Sequence, residues 1–476
     1  MNLDDAIAYL DRHQNLEVNA GKIEGLSLDH MHRLMEVLGD PHRAFPVIHI
    51  TGTNGKGSVA RMATALLVES GLNVGTYTSP HLEALNERIA WNGNSISDDD
   101  LAEAISDVAA VEQVAGITPS WFELVTAAAF ARFALVAVDV AVIEVGLLGQ
   151  FDATNVVDAD IAVITNVGFD HSDGIGDWRR AIATEKAGIV KEGSFAILGE
   201  HDEELLSIVA PRHPRQTWAR GVDFGVDQDL SAVGGRLIDV HTPLSSHEQV
   251  FIPVLGAHQS ANAAVAIAAV EAFFGRGLDE DVVDQAFAGL TIPGRLEIVG
   301  RSPLVVIDGA HNPTGAQVAA ESIAEDFEVS GRRTLVVGLL AGRDINSMLE
   351  ALDVTAYDLV VACTAPSPRG LPSTEIVRAA LELGAQVEDG GTVRNAIDRA
   401  LNASVADDMV LIAGSLYVVG AARPLMRERA EQGGREDDDQ HDHLDDDDGR
   451  DSFGNEVADD PNWLQGGEED GDFSLS

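Results

Sequence analysis

A loop able to hold phosphates stands at Thr51-Gly52-Thr53-Asn54-Gly55-Lys56-Gly57-Ser58. The apolar run Val47-Ile48-His49-Ile50 enters it, and a helix-like stretch leaves it. Glycines let backbone N–H groups turn inward, and a helix N-terminus adds partial positive charge. Lys56 is placed to reach terminal phosphates, and Ser58 to approach a magnesium ion. The strict P-loop spacing is not met, because Ile50 stands at its first glycine and Gly57 separates Lys56 from Ser58. The plain alternative is a glycine-rich turn in an α/β sheet. Lysine usage argues against it. Only Lys22, Lys56, Lys186 and Lys191 are lysines among 31 basic residues, and one of them stands in this loop. Arginine does not replace a compact, tunable point charge.

Three more strand-like runs end in polar residues. Ala141-Val142-Ile143-Glu144 ends in a carboxylate, Gly75-Thr76-Tyr77-Thr78-Ser79 in a hydroxyl, and Ile161–Asn166 leads to Asp170-His171. Ligands of α/β sheets collect at the carboxyl ends of strands. Ser79, Glu144 and His171 therefore suit a divalent cation whose shell phosphates and water complete. A lone His after a strand is more often a structural hydrogen-bonder; the joint pattern raises the case. Glu185-Lys186 reads by itself as an exposed pair on a helix. Asp308, in Val305-Val306-Ile307-Asp308-Gly309-Ala310-His311-Asn312-Pro313, suits a ribose hydroxyl or a helix cap. His311 could stack on a base. Arg295 could reach a γ-phosphate, and Asn262 could bond adenine or cap its helix.

The elements that carry these residues follow from pattern. Continuous apolar, β-branched runs at 47–51, 73–78, 139–145 and 160–166 read as buried parallel strands. Ala-rich helices at 122–136 and 258–275 cover them, and residues 215–250 read as short antiparallel strands. Two helices precede, within residues 1–45. Thr291-Ile292-Pro293-Gly294-Arg295 breaks the pattern. A second α/β series follows, with strands at 304–308, 334–338, 358–363 and 409–414. The expected fold is α/β. Residues 1–292 form a large P-loop-type domain with a mostly parallel sheet, residues 293–430 a smaller Rossmann-like domain, and residues 431–476 a disordered acidic tail.

Composition bounds the rest. A chain of 476 residues exceeds one core. Its net charge of −47 disfavours nucleic acid and favours solubility. One cysteine, Cys363, excludes a disulfide framework and fits a reducing compartment. The N-terminus lacks a signal-peptide pattern, and no uncharged run spans a bilayer. The expectation is a cytoplasmic protein, binding neither membrane nor nucleic acid, and a monomer.

Taken as a set, these motifs resemble the folylpolyglutamate synthase/dihydrofolate synthase family, a branch of the Mur ligases. The set is Gly52–Ser58, Thr78-Ser79-Pro80-His81-Leu82, Glu144-Val145-Gly146-Leu147, Asp152-Ala153-Thr154-Asn155, Asp170-His171, Glu185-Lys186-Ala187-Gly188-Ile189, Pro293-Gly294-Arg295 and Asp308–Pro313. They stand in family order over residues 20–425. The resemblance implies an ATP-dependent amide ligase that phosphorylates a pterin carboxylate and lets the L-glutamate amine attack the acyl phosphate. It implies ATP contacts at Asn54, Gly55, Lys56, Gly57, Ser58, Asn262, Arg295 and Asp308, with His311 beside them. It implies magnesium, two ions in all, at Ser79, Glu144 and His171, with Lys186 carbamylated to help hold the second. Ser120-Trp121-Phe122-Glu123 and Phe151-Asp152-Ala153 match the stretches that bind dihydropteroate; tetrahydrofolate is the other pterin substrate. Two departures stand out. Leu148 replaces a glycine of the family pattern, and Gln150 replaces an arginine.

Rival readings are another Mur-type amino-acid ligase, a P-loop kinase or nucleotide switch, and a non-catalytic scaffold. Asp152–Asn155 favours the folate branch, and a kinase would need neither Lys186 nor a second α/β domain. The tail has little to bury. Deleting residues 436–476 is expected to leave turnover and thermal midpoint nearly unchanged. A large loss of either would show that it packs on the body.

Overall fold

Strands buried on both faces are held by apolar side chains on each, and that is what the runs noted above provide. The computed structural model describes residues 1–15, 27–168 and 176–442, with side chains as far as residue 432. Its first sheet has eight strands: β1 Val47–Thr51, β2 Val74–Tyr77, β3 Ile89–Trp91, β4 Asn94–Ser95, β5 Val140–Glu144, β6 Ile161–Ile164, β7 Phe195–Leu198 and β8 Gln216–Ala219. Their order is β4-β3-β2-β5-β1-β6-β7-β8. All neighbours from β2 to β8 are parallel, and only β3 and β4 run antiparallel at one edge.

The alternation of side chains is visible in β5. Val140 and Val142 join the core under the helices Lys56–Glu69 and Ala257–Phe274. Ala141 and Ile143 face the other core, under Asp98–Ala115 and Trp121–Leu135. The four expected strands thus form, β1 over the expected residues and the other three trimmed at their ends. Residues 216–219 depart from the antiparallel expectation. They pair in parallel with β7, because the helix Glu203–Val209 makes the crossover that a parallel neighbour requires.

A separate antiparallel sheet follows: β9 Gly225–Ala232, β10 Gly235–His241 and β11 Ser246–Ile252, with β10 central. Its Ile238, Val240, Val250 and Ile252 pack into the first core. The third sheet holds β12 Glu297–Arg301, β13 Leu304–Ile307, β14 Arg333–Val337, β15 Leu359–Thr364, β16 Val387–Thr392 and β17 Met409–Ala413. Its order is β12-β13-β17-β14-β15-β16, parallel except for β12. The edge strands β12 and β16 escaped the sequence reading; Glu388, Asp389 and two glycines hide β16. The fold is α/β, with a large parallel-sheet domain followed by a smaller α/β domain.

Residues 1–428 form one compact unit, and the described residues from 429 onward belong to another. The last helix, Leu416–Asp442, runs past residue 431; residues 443–476 lie outside the described residues. Among the described residues no helix is long and apolar enough to cross a membrane.

Register decides where chemistry sits. Ile50 pairs with Glu144, Thr51 with Ile164 and Tyr77 with Ile143. The carboxyl ends of β1, β2, β5 and β6 are therefore level on one rim. In the third sheet Ile307 pairs with Ile412 and Val337 with Ala413, which brings Asp308 and Gly414 to a second rim.

Candidate active site

The phosphate loop follows β1 and opens the helix Lys56–Glu69. Two glycines are required there. A Cβ on Gly52 would lie 1.7 Å from Thr165 Oγ1. Gly55 has φ +83°, and a Cβ there would lie 2.6 Å from Asn262 Oδ1. Gly57 lets the loop approach Glu144, whose Oε2 would lie 3.4 Å from an added Cβ. The loop is braced from β6: Asn54 O accepts from Thr165 Oγ1 (2.6 Å) and Asn166 Nδ2 (3.0 Å), and Asn54 N donates to Asn166 Oδ1 (3.0 Å). Lys56 Nζ folds back on Gly52 O (3.1 Å) and Thr53 O (3.3 Å). Ser58 is buried beneath it.

Glu144 ends β5 and is only 4% exposed. Burial pushes its carboxyl above the usual carboxylate range; Lys56, the Ser79 N–H, Arg295 and Arg61 oppose that rise. Ser79 N donates to its Oε2 at 3.1 Å. Glu144 and the Ser79 segment thus meet as expected, whereas His171 lies outside the described residues. Among the described residues no three His, Cys, Asp or Glu side chains cluster around a possible metal. The carboxylate of Glu144 beside a phosphate loop is the kind of hard oxygen donor that magnesium takes when phosphates supply the rest.

Lys186 is 3% exposed, which overturns the exposed Glu–Lys pair of the bare sequence reading. Its helix is pressed on the loop after β5. A Cβ on Gly149 would lie 3.0 Å from Lys186 Cα, and Gln150 N donates to Glu185 O at 2.8 Å. Leu148 keeps φ +57°, the left-handed backbone that glycine adopts freely, at a cost of about 1 kcal/mol. Gln150 Oε1 accepts from Arg212 Nη2 at 3.2 Å, so an arginine from elsewhere in the chain reaches this loop.

The expected pterin stretches meet near it. Ser120 and Glu123 form a capping box on the helix Trp121–Leu135. These bonds tie Ser120 and Glu123 to the backbone of the helix's first turn. Trp121 lies under Arg88, whose guanidinium carbon is 4.7 Å from the ring centroid. Phe122 covers Gly146, where a Cβ would lie 2.5 Å from its ring. Phe151 is 38% exposed, an apolar face open to a planar ring, and Ala153 is buried. Asp152 is buried and organises the loop, accepting from Leu147 N (2.8 Å), Thr154 N (3.0 Å) and Thr154 Oγ1 (2.5 Å). Sequence reasoning missed His49 below it. His49 Nε2 lies 2.9 Å from Thr154 Oγ1. That hydroxyl donates to Asp152, so His49 is the donor to it. The signal was there: one imidazole inside an apolar strand.

The third sheet adds the opposite wall. Asp308 is 4% exposed and accepts from Leu296 N (3.0 Å) and Ala310 N (2.8 Å). Burial raises its carboxyl and Arg295 lowers it. It does not cap the next helix; Asn312 does, through Gly315 N. Asn312 Nδ2 also donates to Asn54 Oδ1 at 2.9 Å, joining the two rims at the phosphate loop. His311 Nδ1 lies 3.2 Å from Gly309 O. Asn262 is not a cap either; it bonds Gln259 Oε1 at 3.0 Å and faces Gly55. A cleft of about 330 Å³ lined by Trp91, Ile96, Asp100, Arg132 and Phe133 contains none of these residues.

The family profiles described as "Mur ligase middle domain" and "Mur ligase, glutamate ligase domain" match residues 50–270 and 294–416. A dihydrofolate synthase/folylpolyglutamate synthase of Mycobacterium tuberculosis is 38% identical over 84% of this chain and 90% of its own. The chain belongs to the folylpolyglutamate synthase/dihydrofolate synthase family. Like other members of this Mur ligase branch, it is an ATP-dependent glutamate ligase acting in folate metabolism. The M. tuberculosis folylpolyglutamate synthase solved with ADP has a TM-score of 0.83 at 35% identity, covering 89% of this chain and 98% of that one. The Escherichia coli relative solved with DHPP and ADP has a TM-score of 0.79 at 29% identity, covering 90% and 99%.

Burial lowers the His49 pKa to about 3, so the folded ligase holds it neutral. In the unfolded chain the same imidazole takes a proton near 6.5. Its contribution is complete above that pH and is lost as the pH falls toward about 3. His49→Gln keeps a donor for Thr154 without the titration. From neutral pH down to pH about 5, wild type is expected to lose about 2 kcal/mol more than this variant in urea unfolding. Parallel pH profiles would refute the assignment.

Proposed function

We propose that this ligase adds L-glutamate to dihydropteroate and to reduced folates through an acyl phosphate, releasing ADP and phosphate. The observation that carries the reading is the level rim on which the phosphate loop and buried Glu144 meet, faced by Arg295 and Asp308 from the third sheet. Residues 1–292 would hold nucleotide and pterin, and residues 293–430 would close over them for glutamate transfer. This assignment suits a cytoplasmic monomer.

The proposed roles follow from charge. Two oxyanions, phosphate and pterin carboxylate, repel each other before transfer. Lys56 is to leave the carbonyls of Gly52 and Thr53 for the terminal phosphates, while the N–H groups of Asn54–Ser58 hold the others. Arg295 approaches the γ-phosphate from the hinge. Asn262 and His311 line the adenine side, and Asp308 takes the ribose. Ser79, Glu144 and His171 would hold magnesium, with Lys186 as a carbamate beside a second ion, and the metal would neutralise the transferring phosphate. Trp121, Phe122, Phe151 and Ala153 supply apolar surface to the pterin, while Ser120, Glu123 and Asp152 shape its walls. Closure of the third sheet's rim keeps water from the acyl phosphate.

Mass spectrometry of products formed from ATP, magnesium, glutamate and each pterin tests the reading. One added glutamyl unit on at least one substrate is expected; ATP turnover without it refutes the reading. Lys56→Ala is expected to abolish ligation with the thermal midpoint kept, and near-normal turnover would remove the ATP assignment. Lys186→Ala is expected to lose most activity, with Lys186→Arg no better, since guanidinium stays cationic. Partial rescue of the Ala variant by acetate supports the carbamate, and an active Arg variant rejects it.

A further inference from the structure

The segment from Ser79 to Arg88 is gripped by the third sheet's domain. Leu82 packs into the core around Val305, Ile307, Val418 and Val419. Two glycines make room for it. A Cβ on Gly420 would lie 2.0 Å from Leu82 O, and one on Gly294 would lie 3.2 Å from Leu82 Cδ2. Glu87 ties the segment internally, accepting from the N–H groups of Leu82 (2.8 Å), Glu83 (2.9 Å) and Ala84 (2.9 Å).

One guanidinium joins this segment to the hinge. Arg423 Nη1 donates to Glu83 Oε1 at 2.6 Å, and its Nε to both Glu297 oxygens at 2.9 and 3.0 Å. Glu297 Oε2 in turn accepts from Gly294 N at 2.7 Å, next to Arg295. Arg427 also pairs with Glu83. The three bridged side chains are 24%, 19% and 24% exposed, so solvent screens them only in part. Without Arg423, Glu297 would lose this guanidinium and Glu83 would keep only the more exposed Arg427. Glu83 is four residues beyond Ser79, whose N–H holds Glu144, and Gly294 precedes the Arg295 that also faces Glu144.

We propose that Arg423 is a positioning residue that ties the hinge turn to the Ser79 segment, so that seating of the second domain sets the oxygens offered to the metal–nucleotide. The inference rests on the ligase reading for its rate measurements but not for its binding measurement. Arg423 touches no reacting atom; it acts through Glu83 and Glu297. The guanidinium is required because it binds two carboxylates at once from fixed, planar donors.

The test compares wild type, Arg423→Met, Arg423→Lys and Glu83→Gln. Calorimetry measures the Kd of magnesium–AMPPNP, and steady-state assays measure kcat, the KM for the pterin and the magnesium concentration at half-maximal rate. Arg423→Met is expected to raise both that concentration and the Kd about fivefold, with the pterin KM within about twofold. Arg423→Lys should recover part of the loss, because one charge remains. Glu83→Gln should shift magnesium dependence in the same direction, and it keeps the test open if the Met variant fails to fold. Unchanged magnesium dependence in either folded variant would overturn the proposal. So would a loss that follows the thermal midpoint alone. A wild type that binds magnesium–AMPPNP without ligating glutamate would instead count against the ligase reading, and the Kd comparison would still judge Arg423.

Discussion

A carboxylate at the end of a buried strand is the constraint around which this ligase is arranged. Glu144 is almost wholly out of water, and a buried charge without partners costs several kcal/mol. Its compensation comes from four directions: Lys56 in the phosphate loop, the Ser79 N–H after β2, Arg61 on the helix below and Arg295 from the hinge. Each of these elements is thereby drawn to one point. Burial pushes the Glu144 carboxyl above the usual carboxylate range, and a bound divalent ion would oppose that rise.

The same point is reached from both halves of the molecule. Asn312 meets Asn54 in the phosphate loop, Arg295 faces Glu144 and Asp308, and Arg423 holds Glu83. These contacts are polar; Asn312, Glu144 and Asp308 are buried, and the Arg423–Glu83 pair is partly solvated. Apolar contacts join the halves as well, since Leu82 and Leu255 pack into the cores of the third sheet. A ligase that must admit a pterin, shield an acyl phosphate and release ADP needs a seam between its halves.

The loop after β5 shows a second economy. Asp152 uses its carboxylate on the backbone N–H groups of Leu147 and Thr154, and His49 fixes Thr154 from below. Asp152 thus braces the loop from within. The loop keeps a left-handed residue at Leu148, and Arg212 docks on Gln150.

Residue order alone determined the α/β class, the strands β1, β2, β5 and β6, the second α/β series and the phosphate loop. Those features rest on local physics: apolar runs, glycine freedom and breakers. It also determined the motifs that mark the folate ligase branch. It left Lys186 ambiguous, because whether a helical lysine faces solvent depends on what packs over it; here Gly149 does. It mistook β8 for an antiparallel strand, because direction is set by the crossover rather than by the strand's own residues. Only the tertiary structure decided that Ser120 and Asp152 serve the backbone, that His49 supports the loop and that Asn54, Arg295 and Arg423 join the two halves. Those partners stand up to 340 residues apart in the chain, and no local pattern encodes a contact of that span.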